Sequence, residues 1–221
     1  MIQKNNIKEF KGVILDCDGV IINSTEQSIQ EHQSFAKQGG YPRVSSEQLR
    51  RLWGLPWPNI IRAIYSEPEA KRFMEEYYSW ELKQKNQYSL FPGALSSING
   101  LREAGLLVSI LTDRDQKTLS LHMNRNSVPA EIFFFIQAPY NHQRSELKTF
   151  EPTLKQFEQV GLKKENLIYV ADTLFDARAA QVAQIEFIGV LTGATTREEF
   201  ERVGVKQTID SIVELPSFLG I

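Results

Sequence analysis

Cysteine is almost missing from this chain: Cys17 is the only one in 221 residues. One thiol excludes an intramolecular disulfide framework and any zinc cluster built on cysteines. The three histidines, His32, His122 and His142, show no metal-ligand spacing. No run of about 18 apolar residues is present, so no transmembrane helix is expected. The stretch from Met1 to Asn6 lacks the apolar core of a signal peptide. Basic excess is absent too: the formal net charge is −2, which offers no field for nucleic acid and no polybasic membrane anchor. Internal repeats and low-complexity segments are lacking. These absences lead us to expect a soluble, cytoplasmic protein with neither nucleic-acid nor membrane partners. The oligomeric state is not legible. The length suffices for one full domain plus a smaller one.

What is present begins with the run Gly12-Val13-Ile14-Leu15-Asp16-Cys17-Asp18-Gly19-Val20. An apolar, β-rich stretch delivers two carboxylates to its C-terminal end, and Gly19 lets the chain turn. Side chains at i and i+2 of a strand share a face. Asp16 and Asp18 would repel each other there, so a bound cation is expected. In an open α/β sheet, ligands bind in the crevice beyond the strand C-termini. This reads as a magnesium-dependent phosphoryl-transfer site. A calcium loop needs oxygen ligands at alternate positions, and Val20 and Ile21 occupy the key places. Cys17, between the aspartates, is expected to be a small buried apolar residue.

Further apolar runs at 106–111, 132–136, 167–170 and 187–190 are rich in Val, Ile, Leu and Phe, as strands buried on both faces are. Helical patterns lie between them. One opens at Pro92-Gly93 and closes at Gly105; another opens at Pro152 and closes at Gly161. This alternation predicts a doubly wound parallel sheet of α/β class. The segment from Ser24 to Tyr88 breaks it. No convincing strand is found there, but three capping-box starts are: Ser24 with Gln27, Ser45 with Gln48 and Ser66 with Glu69. Val44 and Leu49 fit a hydrophobic staple around the second. We therefore expect a small helical cap at 22–89 inserted into a core of 1–21 and 90–221. It would overhang the strand ends, exclude water and select substrates.

Three other places carry matching chemistry at or beyond predicted strand ends. Thr112-Asp113-Arg114 offers a hydroxyl that can donate to a phosphate oxygen. Lys148 offers an ammonium that can neutralise a transferring phosphoryl group. Asp172 and Asp176 add two carboxylates to the same edge. Magnesium favours a few carboxylates, waters and substrate oxygens, and Asp16, the Asp18 carbonyl and Asp172 suit it. Plainer roles stay open: Thr112 as a helix cap, Lys148 as a surface lysine, and Asp176 as a helix-start carboxylate.

These four elements, in this order and with a helical insertion after the first, resemble the haloacid dehalogenase superfamily, over nearly the whole chain. The similarity is to the branch of phosphoglycolate phosphatases and β-phosphoglucomutases. Leu90-Phe91-Pro92-Gly93-Ala94 and the tail from Gly189 to Gly193 also match that branch. The resemblance implies a Rossmann-like core and phosphatase action on a small phosphorylated metabolite. Asp16 would be the nucleophile that forms an aspartyl-phosphate, and Asp18 the general acid and base. Thr112 and Lys148 would hold phosphoryl oxygens. Asp172 would bind magnesium directly, and Asp176 would support it from behind, through water. Gly19 and Asp113 belong to the same substrate-facing set.

Some residues depart from the family pattern. Thr149 follows the motif lysine where proline is usual, which makes Arg144 and Lys155 alternative cations. Asn23, Ala171 and Gln184 stand where Asp, Gly and Gly are common. Ser28 holds the place of a mutase's cap histidine, with His32 four residues later, so a sugar-phosphate mutase is the nearest rival. Dehalogenase chemistry is disfavoured because Asp18 is intact. A non-catalytic phosphate-binding regulator and a phosphorylation receiver module are further rivals, the latter opposed by the insertion. The segment from Arg50 to Trp57 matches, in position, a substrate-specificity loop of this branch, which nominates Arg51 and Trp53. Trp53 and Trp57 suit helix packing equally well.

Overall fold

The computed structural model describes residues 10–55, 57–83, 88–139 and 149–221. The chain enters on β1 (Gly12–Leu15) and turns through Cys17, whose carbonyl accepts from the Ile21 and Ile22 amides. It then leaves on β2 (Ile22–Asn23) for four consecutive helices: α1 (Thr25–Gln38), α2 (Ser46–Leu52), α3 (Trp57–Ile64) and α4 (Glu67–Glu81). It returns on β3 (Ser89–Leu90), which pairs antiparallel with β2. The outgoing and returning passages are thus tied together in one short ribbon.

From there strand and helix alternate: α5 (Ala94–Glu103), β4 (Leu107–Leu111), α6 (Gln116–Arg125), β5 (Phe135–Gln137), α7 (Glu151–Gln159), β6 (Leu167–Ala171), α8 (Leu174–Ala183), β7 (Glu186–Val190), α9 (Arg197–Arg202), β8 (Thr208–Ile209) and α10 (Leu215–Phe218). Six strands form one parallel sheet in the order β5-β4-β1-β6-β7-β8. β1 has both faces covered. Val13 and Leu15 pack with Ile98 and Leu101 of α5 and Leu119 of α6, while Ile14 packs with Phe157 of α7 and Ala180 of α8. Alternation along the strand sends successive side chains to opposite faces, which is why the run is apolar throughout. β1 is also the switch point. Its neighbours β4 and β6 lead the chain to opposite halves of the sheet, which leaves a crevice at their C-terminal ends.

The expected run at 132–136 is shorter as a strand. Ile132 ends a 3-10 turn (Ala130–Ile132) and packs on the core from there, so β5 begins only at Phe135. β8 was not expected, because two residues show no periodicity. Gln184 stands in the left-handed region at φ 59°, where a glycine is usual.

The helical insertion has apolar clusters of its own. Phe73 is fully buried, with ring centroids of His32, Phe35, Tyr41 and Tyr65 within 4.9 Å. Val44 and Leu49 join Ile29 and Ile60 in a second cluster. Two capping boxes form as expected. Ser45 and Gln48 exchange bonds at 3.1 and 2.9 Å, and Glu69 accepts from the Ser66 amide at 3.3 Å. The third does not. Ser24 has helical rather than extended geometry, and its hydroxyl donates instead to Asp18 Oδ1 at 2.5 Å.

Candidate active site

Asp16, Thr112 and Asp172 each follow directly on the last residue of β1, β4 and β6, three neighbouring strands. All three are buried. Asp16 is fixed by its own backbone: its amide donates to the Val170 carbonyl, and its Oδ1 accepts from the Cys17 amide at 2.8 Å. Thr112 is not the cap of α6. Asp115 takes that place, accepting from the Lys117 amide, while Thr112 Oγ1 accepts from the Arg114 amide at 3.1 Å.

Asp172 lies in a cradle of backbone. The Ala194 amide donates to its Oδ2 at 3.0 Å. A Cβ at Gly193 would fall 1.8 Å from that oxygen, and one at Gly19, where φ is +74°, would fall 2.4 Å from it. Thr192 closes the cradle by donating to the Gly19 carbonyl at 2.6 Å. Only glycine fits at either position, since any side chain would displace the carboxylate. Thr192, Gly193 and Ala194 were not nominated as site residues from the sequence. The signal for them was there in the Gly189–Gly193 tail, but its partner is 20 residues away or more.

Asp176, in the first turn of α8, accepts from the Tyr169 hydroxyl at 2.7 Å and the Thr173 hydroxyl at 2.5 Å. Carboxylate oxygens of Asp16, Asp172 and Asp176 lie within 4.8 Å of one another. Three buried carboxylates at this spacing repel strongly, and a hard divalent cation with oxygen ligands fits the set. The partners of Asp176 suit support from behind better than a leading place at an ion.

Asp18 stands outside this trio. Its carboxylate takes a two-pronged contact from Arg114, Nε to Oδ2 at 2.9 Å and Nη2 to Oδ1 at 2.6 Å, with the Ser24 hydroxyl as a third donor. Burial pushes the Asp18 pKa up. The Arg114 charge and the hydrogen bonds from Arg114 and Ser24 outweigh it, so the carboxyl sits below its ordinary value. Arg114 Nη1 also meets Glu81 of α4 at 3.2 Å, and its guanidinium lies 5.1 Å from the Tyr88 ring centre. Arg114 was read from the sequence only as part of a motif. Its partners are 96 and 33 residues away, a pairing no spacing rule predicts.

Asp16, Asp18, Thr112, Asp113, Arg114 and Asp172 floor a cleft of about 160 Å³. The helical insertion forms the opposite wall, with Trp53, Leu55, Trp57, Ile60, Tyr77 and Glu81. The two sides touch. Tyr78 donates to Asp115 Oδ1 at 3.1 Å, and Gly54 is close enough that a Cβ there would lie 3.2 Å from Thr173 Cβ. His32 also lines the cleft, but its Nε2 is 3.0 Å from the Tyr65 hydroxyl, and burial pushes its pKa down to about 4.

Of the residues nominated for the substrate, Gly19 supports Asp172, while Asp113 and Trp53 line the cleft. Arg51 does not. It lies exposed on α2, paired with Glu47 at 2.5 Å. Lys148 and Arg144 lie outside the described residues. Lys155 is exposed on α7, paired with Glu151 at 2.9 Å, and is not a lining residue. Cys17 is buried in the apolar core. Among the described residues, no helix is long and apolar enough to cross a membrane.

Comparison with known proteins agrees with this geometry. The family model of the haloacid dehalogenase-like hydrolases matches residues 13–190, from β1 through β7. Phosphoglycolate phosphatase of Rhodobacter capsulatus is 22% identical over 185 residues, covering 80% of this chain and 82% of that protein. N-acetylmuramic acid 6-phosphate phosphatase of Pseudomonas aeruginosa is 22% identical over 192 residues, with 83% of each covered. A haloacid dehalogenase-like hydrolase from Streptococcus pneumoniae superposes with a TM-score of 0.81 at 17% identity, over 95% of this chain and 98% of that one. With the family's model running from β1 through β7 and every described strand-end group in place, the chain belongs to the haloacid dehalogenase-like hydrolases and is a phosphatase.

Proposed function

We propose that this phosphatase hydrolyses a small phosphorylated metabolite through a covalent aspartyl-phosphate on Asp16, with magnesium as cofactor. The observation that carries the reading is the placing of Asp16, Thr112 and Asp172 at three adjacent strand ends, with Asp16, Asp172 and Asp176 oxygens within 4.8 Å of one another. Asp16, the Asp18 carbonyl and Asp172 would hold the ion, with Asp176 behind them. When bound, magnesium would offset the crowding of negative charge between these carboxylates and the phosphoryl oxygens.

In this reading an Asp16 oxygen attacks phosphorus while the bond to the leaving oxygen breaks. That oxygen takes a proton from Asp18 and departs as the alcohol. Asp18, now ionised, takes a proton from water. The hydroxide attacks the aspartyl-phosphate, which releases inorganic phosphate and restores the Asp16 carboxylate. The two halves need opposite charge states of Asp18. Arg114 and Ser24 favour the carboxylate, the form of the second half. A phosphoryl dianion beside it favours the protonated form, the one the first half requires. Thr112 and Lys148 are assigned to the phosphoryl oxygens. The helices of 22–89 act as a cap over a core of 1–21 and 90–221. The mutase alternative gains nothing from His32, whose Nε2 is engaged by Tyr65 and which burial keeps neutral.

The test is hydrolysis of p-nitrophenyl phosphate with and without magnesium, combined with acid quenching and mass analysis of the peptide that contains Asp16. We expect magnesium-dependent turnover and a phosphoryl adduct on that peptide. Asp16→Asn should lose about 10⁴-fold or more in kcat and form no adduct. Substantial turnover by Asp16→Asn overturns the assignment.

A further inference from the structure

The cleft is uneven in charge. Asp16, Asp18, Asp113, Asp172 and Asp176 line it on the floor, and Glu81 adds a sixth carboxylate from the wall. Arg114 is the one arginine or lysine among the described residues that line it. It is committed on both sides: Nε and Nη2 to Asp18, and Nη1 to Glu81 at 3.2 Å. The guanidinium side chain is 8% exposed and the Glu81 side chain 11%, so solvent screens this contact little. A leaving group with its own carboxylate or second phosphate would meet Glu81 beside an Arg114 that is already paired. The wall that carries Glu81 also presents the apolar and aromatic side chains of Trp53, Leu55, Trp57, Ile60 and Tyr77 to the cleft.

We infer that Glu81 is a specificity-determining residue: by occupying Arg114 it closes the cleft to phosphate monoesters with an anionic leaving group, and the tryptophan-lined wall favours esters of uncharged alcohols with an apolar or planar body. This rests on the phosphatase reading above and deepens it. It sets the chain apart from relatives named for phosphoglycolate, whose leaving group carries a carboxylate. Discrimination of this kind can combine a repulsive element with an attractive one. Glu81 supplies the first and the aromatic wall the second. The attraction is general, because flat apolar side chains accept many bodies, whereas the repulsion is specific to charge.

Three esters separate the two effects: 2-phosphoglycolate, 2-hydroxyethyl phosphate and benzyl phosphate. The first two differ chiefly in the carboxylate, and the last two in the apolar ring. For the wild-type chain with magnesium we expect kcat/KM to rise in that order, with at least tenfold between 2-phosphoglycolate and 2-hydroxyethyl phosphate. Glu81→Gln keeps a hydrogen-bond acceptor for Arg114 but removes the charge, and should narrow that gap at least threefold. Glu81→Asp keeps the charge and should preserve it. A residue that only latches the insertion to the sheet would lower all three substrates together and leave the gap unchanged. Equal or better use of 2-phosphoglycolate by the wild type overturns the proposal, as does a gap indifferent to Glu81→Gln. Should Glu81→Gln fail to fold, the wild-type order and Glu81→Asp still decide. Calorimetric binding of the same esters to Asp16→Asn needs no turnover. If no ester is hydrolysed, the phosphatase reading fails, and the binding order alone supports or overturns the charge selectivity.

Discussion

The floor and the wall of the cleft are built by different means. On the floor, Asp16, Thr112 and Asp172 stand one residue beyond three hydrogen-bonded strands, and backbone amides from Cys17 and Ala194 hold the carboxylates. Their positions are set by the sheet itself, to the tolerance that chemistry at phosphorus requires. The wall is made of side chains on helices that pack around Phe73, in clusters separate from the sheet. Contacts that join it to the floor include Tyr78 with Asp115, Glu81 with Arg114, and Gly54 close to Thr173. Rigid backbone thus serves the phosphoryl group, which every substrate shares. Exchangeable side chains serve the part that varies. The ribbon of β2 and β3 is where one regime passes to the other.

The sharpest way to break this comparison is to disturb the floor without removing any functional group. Gly193→Ala places a methyl group 1.8 Å from Asp172 Oδ2, so the carboxylate or the loop must move. We expect kcat/KM to fall about a hundredfold on every ester, since an ångström at a reacting group costs about that much. The apparent magnesium requirement should rise with it, and circular dichroism should stay native. Asp172→Ala, which deletes the proposed ligand, should go further and abolish the response to magnesium. If Gly193→Ala keeps wild-type kcat/KM, Asp172 is not held by this cradle in the way the structure indicates.

This division also explains what was legible in the sequence. Asp16, Asp172 and Thr112 could be placed because a strand's apolar run announces its end, and chemistry at a strand end has a known address. The alternation of strands and helices announced a doubly wound parallel sheet, and capping boxes located α2 and α4. Residues whose meaning lies in distant pairing were harder to read. Ser24 satisfies every local rule for a cap, yet Asp18 competes for its hydroxyl and wins. Arg51, in the last turn of α2, and Trp53, just past its end, have nothing local to say which faces inward. Arg114 joins Asp18 to Glu81 across the cleft, and the second of these contacts depends on where α4 lands.

A smaller effect is expected on the wall. Trp53 lines the cleft and Arg51 does not, although they are two residues apart. Trp53→Ala should lower kcat/KM for benzyl phosphate about tenfold more than for 2-hydroxyethyl phosphate, the scale of losing one well-packed apolar contact in a pocket. Arg51→Ala should change neither by more than about twofold, since its partner is an exposed glutamate on the same helix. Steady-state kinetics on the two esters checks both. An Arg51→Ala effect as large as that of Trp53→Ala would mean that the loop turns its other side to the substrate.

The smallest effect at neutral pH compares the two regions through one buried histidine each. His32 lies in the insertion against Phe73, and its pKa is pushed from 6.5 down to about 4 by burial. His122 lies on α6, its ring 4.3 Å from that of Tyr88 and its Nδ1 without a hydrogen-bond partner. Burial and the Arg114 and Arg125 charges push its pKa down to about 3, against an opposing pull from Asp18. In both cases the unfolded chain binds a proton that the folded chain refuses. Stability from each is therefore fully present above pH 6.5 and lost as pH falls through that value towards the folded pKa. Between about pH 4.5 and 6, each histidine should add close to one proton, about 1.4 kcal/mol per pH unit, to the slope of unfolding free energy. Urea melts across that range should show His122→Phe losing one proton of slope, because a packing change shifts stability by an amount independent of pH. His32→Phe should lose the same. If sheet and insertion unfold together, the two losses add in the double variant. If His32→Phe alone leaves the main transition unaltered, the insertion melts as a unit of its own, and the contacts between wall and floor do not couple them.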